Sequence, residues 1–115
     1  MKYRGSCHCG QVAFEAEGEI SEVLACNCSI CQRKGSLLWF IPRAQLKLFN
    51  KPEEMSTYTF SKHVIKHHFC PVCGMQPFGE GTGPDGSAVA AINVRCLEGV
   101  EPESFKVKHF NGRAI

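Results

Sequence analysis

The sequence contains no run of about 18 apolar residues, so no segment reads as a membrane-spanning helix. No apolar stretch follows Met1-Lys2-Tyr3-Arg4-Gly5, so no secretory leader is expected, which favours a reducing, cytoplasmic setting. Charge of one sign is not in excess. The 13 Lys and Arg residues stand against 11 Asp and Glu, and a net +2 falls short of the basic footprint of a nucleic-acid binder. Arg33-Lys34, Lys62 to His68 and Lys106 to His109 are short basic clusters that read as solvated strand faces or loops. Internal repeats, low-complexity tracts, linkers and any long helical period are also absent.

Cysteine, by contrast, is abundant: eight residues in a chain of 115, long enough for one domain (1–115, core about 3–110). They fall into a pair (Cys7, Cys9), a trio (Cys26, Cys28, Cys31), a second pair (Cys70, Cys73) and the single Cys96. A disulfide framework would suit a small secreted chain. Here the reducing setting opposes it, and cysteines separated by one residue rarely bridge each other. Metal ligation is the better reading.

Phe69-Cys70-Pro71-Val72-Cys73-Gly74 is the clearest motif. It reads as a zinc knuckle, a tight turn that aims two thiolates at one ion. Gly74 can take the positive φ such a turn needs, and Pro71 fixes φ without requiring a backbone donor. Cys7 and Cys9, in Ser6-Cys7-His8-Cys9-Gly10, supply the other half of a tetrahedral site. Four thiolates leave no position for water or substrate, so this site is expected to be structural.

Cys26, Cys28 and Cys31 can chelate one face of a second zinc. Three protein ligands leave a fourth position open, the pattern of a catalytic zinc. The alternative is that Cys96, His8, His67 or His68 closes that position, and spacing alone does not choose between them. A three-thiolate zinc has blunted Lewis acidity and suits the binding and deprotonation of an incoming thiol better than the activation of water.

Short strand-like runs with turn signals between them indicate a mainly β domain. Strands are expected at 3–6, 11–16, 23–25, 37–41, 46–49, 55–60, 64–69, 76–79, 87–94 and 106–110. One helical turn is expected over 29–34, ended by Gly35. Leu37 to Ile41 is apolar at every position and reads as a central strand covered on both faces, with Trp39 and Phe40 in the core. His63, Ile65, His67 and Phe69 would share a strand face. These histidines, Tyr58 and His109 are expected at the surface, and Cys96 as a small buried hydrophobe.

Ser6-Cys7-His8-Cys9-Gly10, Cys26-Asn27-Cys28-Ser29-Ile30-Cys31 and Phe69-Cys70-Pro71-Val72-Cys73-Gly74 together resemble the three signatures of the glutathione-dependent formaldehyde-activating enzyme family, which includes centromere protein V. The resemblance runs from about residue 3 to 110. It implies a β-rich fold of the β-tent type, shared with a small zinc-binding exchange factor for Rab proteins, and two zinc ions. Cys7, Cys9, Cys70 and Cys73 would hold the structural ion, and Cys26, Cys28 and Cys31 the catalytic one. The implied reaction joins glutathione and formaldehyde into S-hydroxymethylglutathione, a carbon–sulfur lyase-type activity with a small thiol and a small carbonyl as partners. Glutathione carries carboxylates, for which Arg33, Lys34, Arg43 and Arg95 are candidate cations. The alternative function is a zinc-stabilised module that binds nucleic acid or protein without catalysis.

Overall fold

The computed structural model describes residues 1–114. The chain opens with an antiparallel pair, β1 (Lys2–Ser6) and β2 (Ala13–Glu17). There follow β3 (Glu22–Cys26), the short helix α1 (Ser29–Lys34), β4 (Leu38–Pro42) and β5 (Leu46–Leu48). After them come β6 (Ser56–Tyr58), β7 (Lys66–Phe69), β8 (Phe78–Thr82), β9 (Ala88–Asn93) and β10 (Lys106–Phe110). The mainly β architecture expected from the short strand runs is what the chain adopts.

The strands form two sheets, β1-β2-β5 and β10-β3-β4-β9-β8-β7-β6. Among the described residues all pairings are antiparallel except β10 with β3. The small sheet lies against one face of the large one. Tyr3 meets Trp39 edge-on at 5.6 Å between ring centroids, and Phe14 meets Phe78 at 5.8 Å. Phe14, Ile92, Val12, Val23 and Val94 are fully buried in the core between the sheets. Each such side chain is worth about 1.5–3 kcal/mol on leaving water.

Strand alternation decides what the large sheet offers on its other side. Trp39 and Ile41 point into the core, together with Ala90 and Ile92 opposite them. Leu38 and Phe40 point the other way, and Phe40 is 51% exposed. The expectation that this strand is covered on both faces, with Phe40 in the core, is therefore corrected. An all-apolar strand also suits a wall whose second face borders a cavity.

The large sheet also corrects the histidines. His67 and His68 are buried, while His63 sits outside the strand in a left-handed turn with φ 57° and shares a hydrogen bond with Thr59. The face proposed for His63, Ile65 and His67 does not form, because the strand begins only at Lys66. Tyr58 and His109 are exposed as expected.

His68 points to the core side and is held at both ring nitrogens. Nδ1 lies 2.9 Å from the Thr57 hydroxyl and Nε2 lies 2.6 Å from Glu80 Oε2. One neutral tautomer satisfies both contacts, with Thr57 donating to Nδ1 and Nε2–H donating to the carboxylate. Arg43 Nε donates to the other Glu80 oxygen. Burial pushes the Glu80 carboxyl up, but the hydrogen bonds from His68 and Arg43 and the Arg43 charge outweigh it, so its pKa is lowered from 4.5. A lowered folded-state pKa adds stability above the unfolded value, and that stability is lost as pH falls through the folded one. Glu80→Gln should cost about 1–3 kcal/mol at pH 7. Denaturant unfolding of both proteins at matched pH should show the difference shrinking below about pH 4.5.

Candidate metal centres and the cavity between sheet and helix

Two turns bring the paired cysteines together. At the first, Cys7 N–H donates to Val12 O at 2.9 Å, and Val12 N–H donates to Cys7 Sγ at 3.3 Å. At the second, Cys70 N–H donates to Met75 O at 2.9 Å, while Val72 and Cys73 N–H donate to Cys70 Sγ at 3.4 and 3.5 Å. Each turn closes on a left-handed glycine, Gly10 at φ 88° and Gly74 at φ 79°. A Cβ at either would touch nothing, so the backbone angle alone demands glycine there.

The four sulfurs of Cys7, Cys9, Cys70 and Cys73 lie within 4.8 Å of one another. Cys7 to Cys9 is 3.7 Å and Cys9 to Cys70 is 3.5 Å. A tetrahedron with bonds of about 2.3 Å to zinc has edges of about 3.8 Å. The set therefore fits a zinc ion with little adjustment. Backbone amides of Cys9 and Met75, with the Cys7 and Cys70 thiols, outweigh burial and bring the Cys73 pKa down to about 6. That favours the thiolate a metal requires.

The trio sits at the end of β3 and the start of α1. Cys26 closes the strand, Cys28 is the helix N-cap residue, and Cys31 lies in the first turn. Their sulfurs also lie within 4.8 Å of one another. Gly35 ends the helix with φ 70°, as its position in the sequence indicated. Burial, then the neighbouring thiols, push Cys31 up to about 12 despite Lys34. Burial also opposes the Cys28 thiolate, but the amides of Cys31 and Ile30 and the flanking thiols lower its pKa. This donor set suits a thiophilic metal such as zinc. Among the described residues, Cys96, His8, His67 and His68 join neither cluster. Cys96 is half-buried near the first one, with its pKa raised to about 11 by burial and by the charges of Cys7 and Cys73.

Asn27, between two of these cysteines, is clamped by a distant segment that the sequence did not signal. Asn27 N–H donates to Phe110 O at 3.2 Å, and its side-chain amide donates to Asn111 Oδ1 at 3.0 Å. Arg113 donates through its backbone N–H to Asn27 Oδ1 and through Nε to Asn27 O. Gly112 packs directly on the trio: a Cβ there would stand 2.6 Å from Cys26 Sγ and 2.9 Å from Cys28 Cβ. Gly112→Val should push this segment off the trio and weaken any metal binding there at least about tenfold. Competition with a chromogenic chelator measures that loss.

The trio opens into a cavity of about 880 Å³. Its floor is the outer face of the large sheet, and α1, the 60–65 loop and residues 110–113 make its walls. None of Cys7, Cys9, Cys70 and Cys73 lines it. Small residues on the floor, Gly79, Gly81 and Ala91, create the space. His67 faces it, stacked under Phe60 at 5.5 Å, with Nε2 buried and without a hydrogen-bond partner. Gln76 Oε1 is in the same condition. Burial, Lys34 and His68 lower the His67 pKa, so the ring is neutral at pH 7. Of the cations considered from sequence, Lys34 alone lines the cavity. Arg33 donates to Ser29 O on the exposed side of α1, Arg43 is engaged by Glu80 and Leu46 O, and Arg95 lies 4.0 Å from Glu103. Lys62 and Arg113, which sequence reasoning missed, line it too.

A family model described as glutathione-dependent formaldehyde-activating enzyme matches residues 2–110. The chain belongs to that family. A protein of Rhodobacter sphaeroides, solved as a structural-genomics target, is similar in structure at a TM-score of 0.79 and 28% sequence identity. The match covers 91% of this chain and 99% of the other. Both cysteine clusters of this glutathione-dependent formaldehyde-activating family member fall within the matched segment. So does nearly all of the cavity wall, with Gly112 and Arg113 just beyond it.

Proposed function

We propose that the chain is a zinc-dependent carbon–sulfur lyase-type enzyme that joins a thiol to a small carbonyl and splits the adduct in reverse. Family membership points to glutathione and formaldehyde as the pair. The observation that carries this reading is the contrast between the clusters: the four-cysteine set does not line the large cavity, whereas the trio is open to it, and it is large enough for a tripeptide. In the forward direction the thiol sulfur bonds to the carbonyl carbon, and the thiol proton ends on the carbonyl oxygen. Nothing is oxidised or reduced.

In this reading Cys7, Cys9, Cys70 and Cys73 hold a structural zinc, and Cys26, Cys28 and Cys31 hold a catalytic one. A zinc on the trio would supply a centre at which a bound thiol loses its proton near neutral pH. The chain's own residues do the rest. Lys34, Lys62 and Arg113 offer positive charge to the carboxylates of the thiol. The cavity walls hold the reacting groups together. His67 and Gln76 border the cavity, and each keeps a buried polar atom without a partner that a small side-chain rearrangement on substrate binding would satisfy. Free thiol clusters persist in a reducing compartment, so we place the protein in the cytoplasm.

The test is the rate of interconversion of glutathione and S-hydroxymethylglutathione, read by exchange NMR on protein carrying two zinc ions per chain. Added protein should raise the rate well above the uncatalysed one, in proportion to its concentration. An unchanged rate with both sites loaded sinks the proposal.

A further inference from the structure

The cavity is much larger and more apolar than formaldehyde requires. The strand register sets out its floor in rows. Leu38 and Asn93 pair in the row beside the trio, with Leu24 next to Leu38. Phe40, Ala91, Gly79 and His67 form the next row, about 7 Å further on. Val89 and Gly81 form the third, a similar step beyond. Ser36, Gln76, Asn93 and Lys34 lie at the trio end, and Glu80 and Thr82 flank Gly81 at the other. The far end is bounded by Phe40, Val89, Ile65 and Val64. Phe40, Val64 and Ile65 are all more than half exposed. A cavity face of this kind, left to water, is unusual unless something apolar covers it.

We propose that this far end receives an apolar substituent on the carbonyl partner, so that the enzyme acts on thiol adducts of larger apolar aldehydes, with an alkyl chain of about four carbons or more or an aromatic ring. This rests on the reading of the trio as the reaction site. The chemistry is unchanged. The thiol sulfur bonds to the aldehyde carbon, the thiol proton passes to the aldehyde oxygen, and the product is the hemithioacetal, an S-(1-hydroxyalkyl) adduct of the thiol. The two arms of that adduct diverge at the reacting carbon. The peptide arm lies toward Lys34 and Arg113, and the alkyl arm runs along the floor over Phe40 and Ala91 to Gly81.

Gly81 is the residue best suited to test this. Its φ is not in the left-handed region, and an added Cβ would meet only Ile65 Cγ1 at 3.7 Å, an ordinary contact. Gly81→Leu therefore fills the far end without straining the strand. Phe40→Ser changes an exposed wall residue and serves as the second variant.

Binding of S-methylglutathione and S-hexylglutathione, neither of which can react, is measured by calorimetry on the two-zinc protein. The hexyl compound should bind at least about tenfold tighter, because its five extra methylenes leave water. Gly81→Leu and Phe40→Ser should each reduce that ratio. Equal affinity of the two compounds for the wild-type protein overturns the proposal, as does a tenfold ratio that survives in both variants. Because no turnover is involved, these outcomes are independent of the formaldehyde assay. A protein that accelerates the formaldehyde reaction but binds both thioethers alike would retain the proposed function and lose this inference.

Discussion

Cys70→Ser is expected to leave the chain largely unfolded at room temperature, with one zinc ion fewer per chain. Cys70 is fully buried, and its sulfur accepts N–H bonds from Val72 and Cys73 while lying 3.5 Å from Cys9 Sγ. The four-cysteine cluster ties the β1–β2 turn to the turn between β7 and β8, one from each sheet. A structural zinc contributes about 10–16 kcal/mol of apparent binding free energy at neutral pH. The whole net stability of a domain is about 5–15 kcal/mol. Removing one ligand of four does not forfeit all of that, but the margin is too small to lose much of it. Circular dichroism should show loss of the cooperative transition, and metal analysis the missing ion. A folded Cys70→Ser protein with its full zinc content would show that the cluster does not staple the sheets.

Cys28→Ser should do the opposite. Turnover should fall at least about a hundredfold, since even the outer hydrogen-bond partners of metal ligands reach that range when removed. Stability should change little. Cys28 is the N-cap residue of α1 and has extended backbone angles, φ −64° and ψ 168°. Serine is favoured at that position, so the substitution removes a sulfur without weakening the helix start. The measurement is the exchange rate together with the melting temperature and the zinc count. Loss of turnover and of one zinc from a protein that still melts cooperatively is the expected outcome. If Cys28→Ser unfolds as Cys70→Ser does, the trio is a second staple and the enzyme reading falls.

The two cysteine pairs and the trio were legible in the sequence because the geometry of each is local. A turn of three to six residues sets where each sulfur points, and Gly10, Gly35 and Gly74 mark where those turns end. The strand runs were legible for the same reason. The faces of β4 were not. Five apolar residues in a row look alike whether the second face meets a layer of protein or an open cavity, and Phe40 meets the cavity. The burial of His67 and His68 was hidden too. It depends on Thr57 in β6 and Glu80 in β8, which satisfy one histidine, and on Phe60 in the loop after β6, which stacks on the other. The clamp on Asn27 by residues 110–113 joins positions 84 and 86 apart in the chain, and no periodicity announces such a contact.

The same difference between local and distant ligands would order the loading of metal during folding. Cys26, Cys28 and Cys31 span six residues and can chelate from a chain that has no other structure. Cys9 and Cys70 are 61 positions apart and meet only after a long loop has closed. A metal bound equally by the unfolded chain adds nothing to stability. With metal available during folding, the trio would act as an early scavenger and the four-cysteine set as a late lock. Refolding in a large excess of zinc should fill the trio first and leave single cysteine pairs carrying separate ions. That kinetic trap would disappear when the ion is delivered from a weak buffer at about stoichiometric amounts.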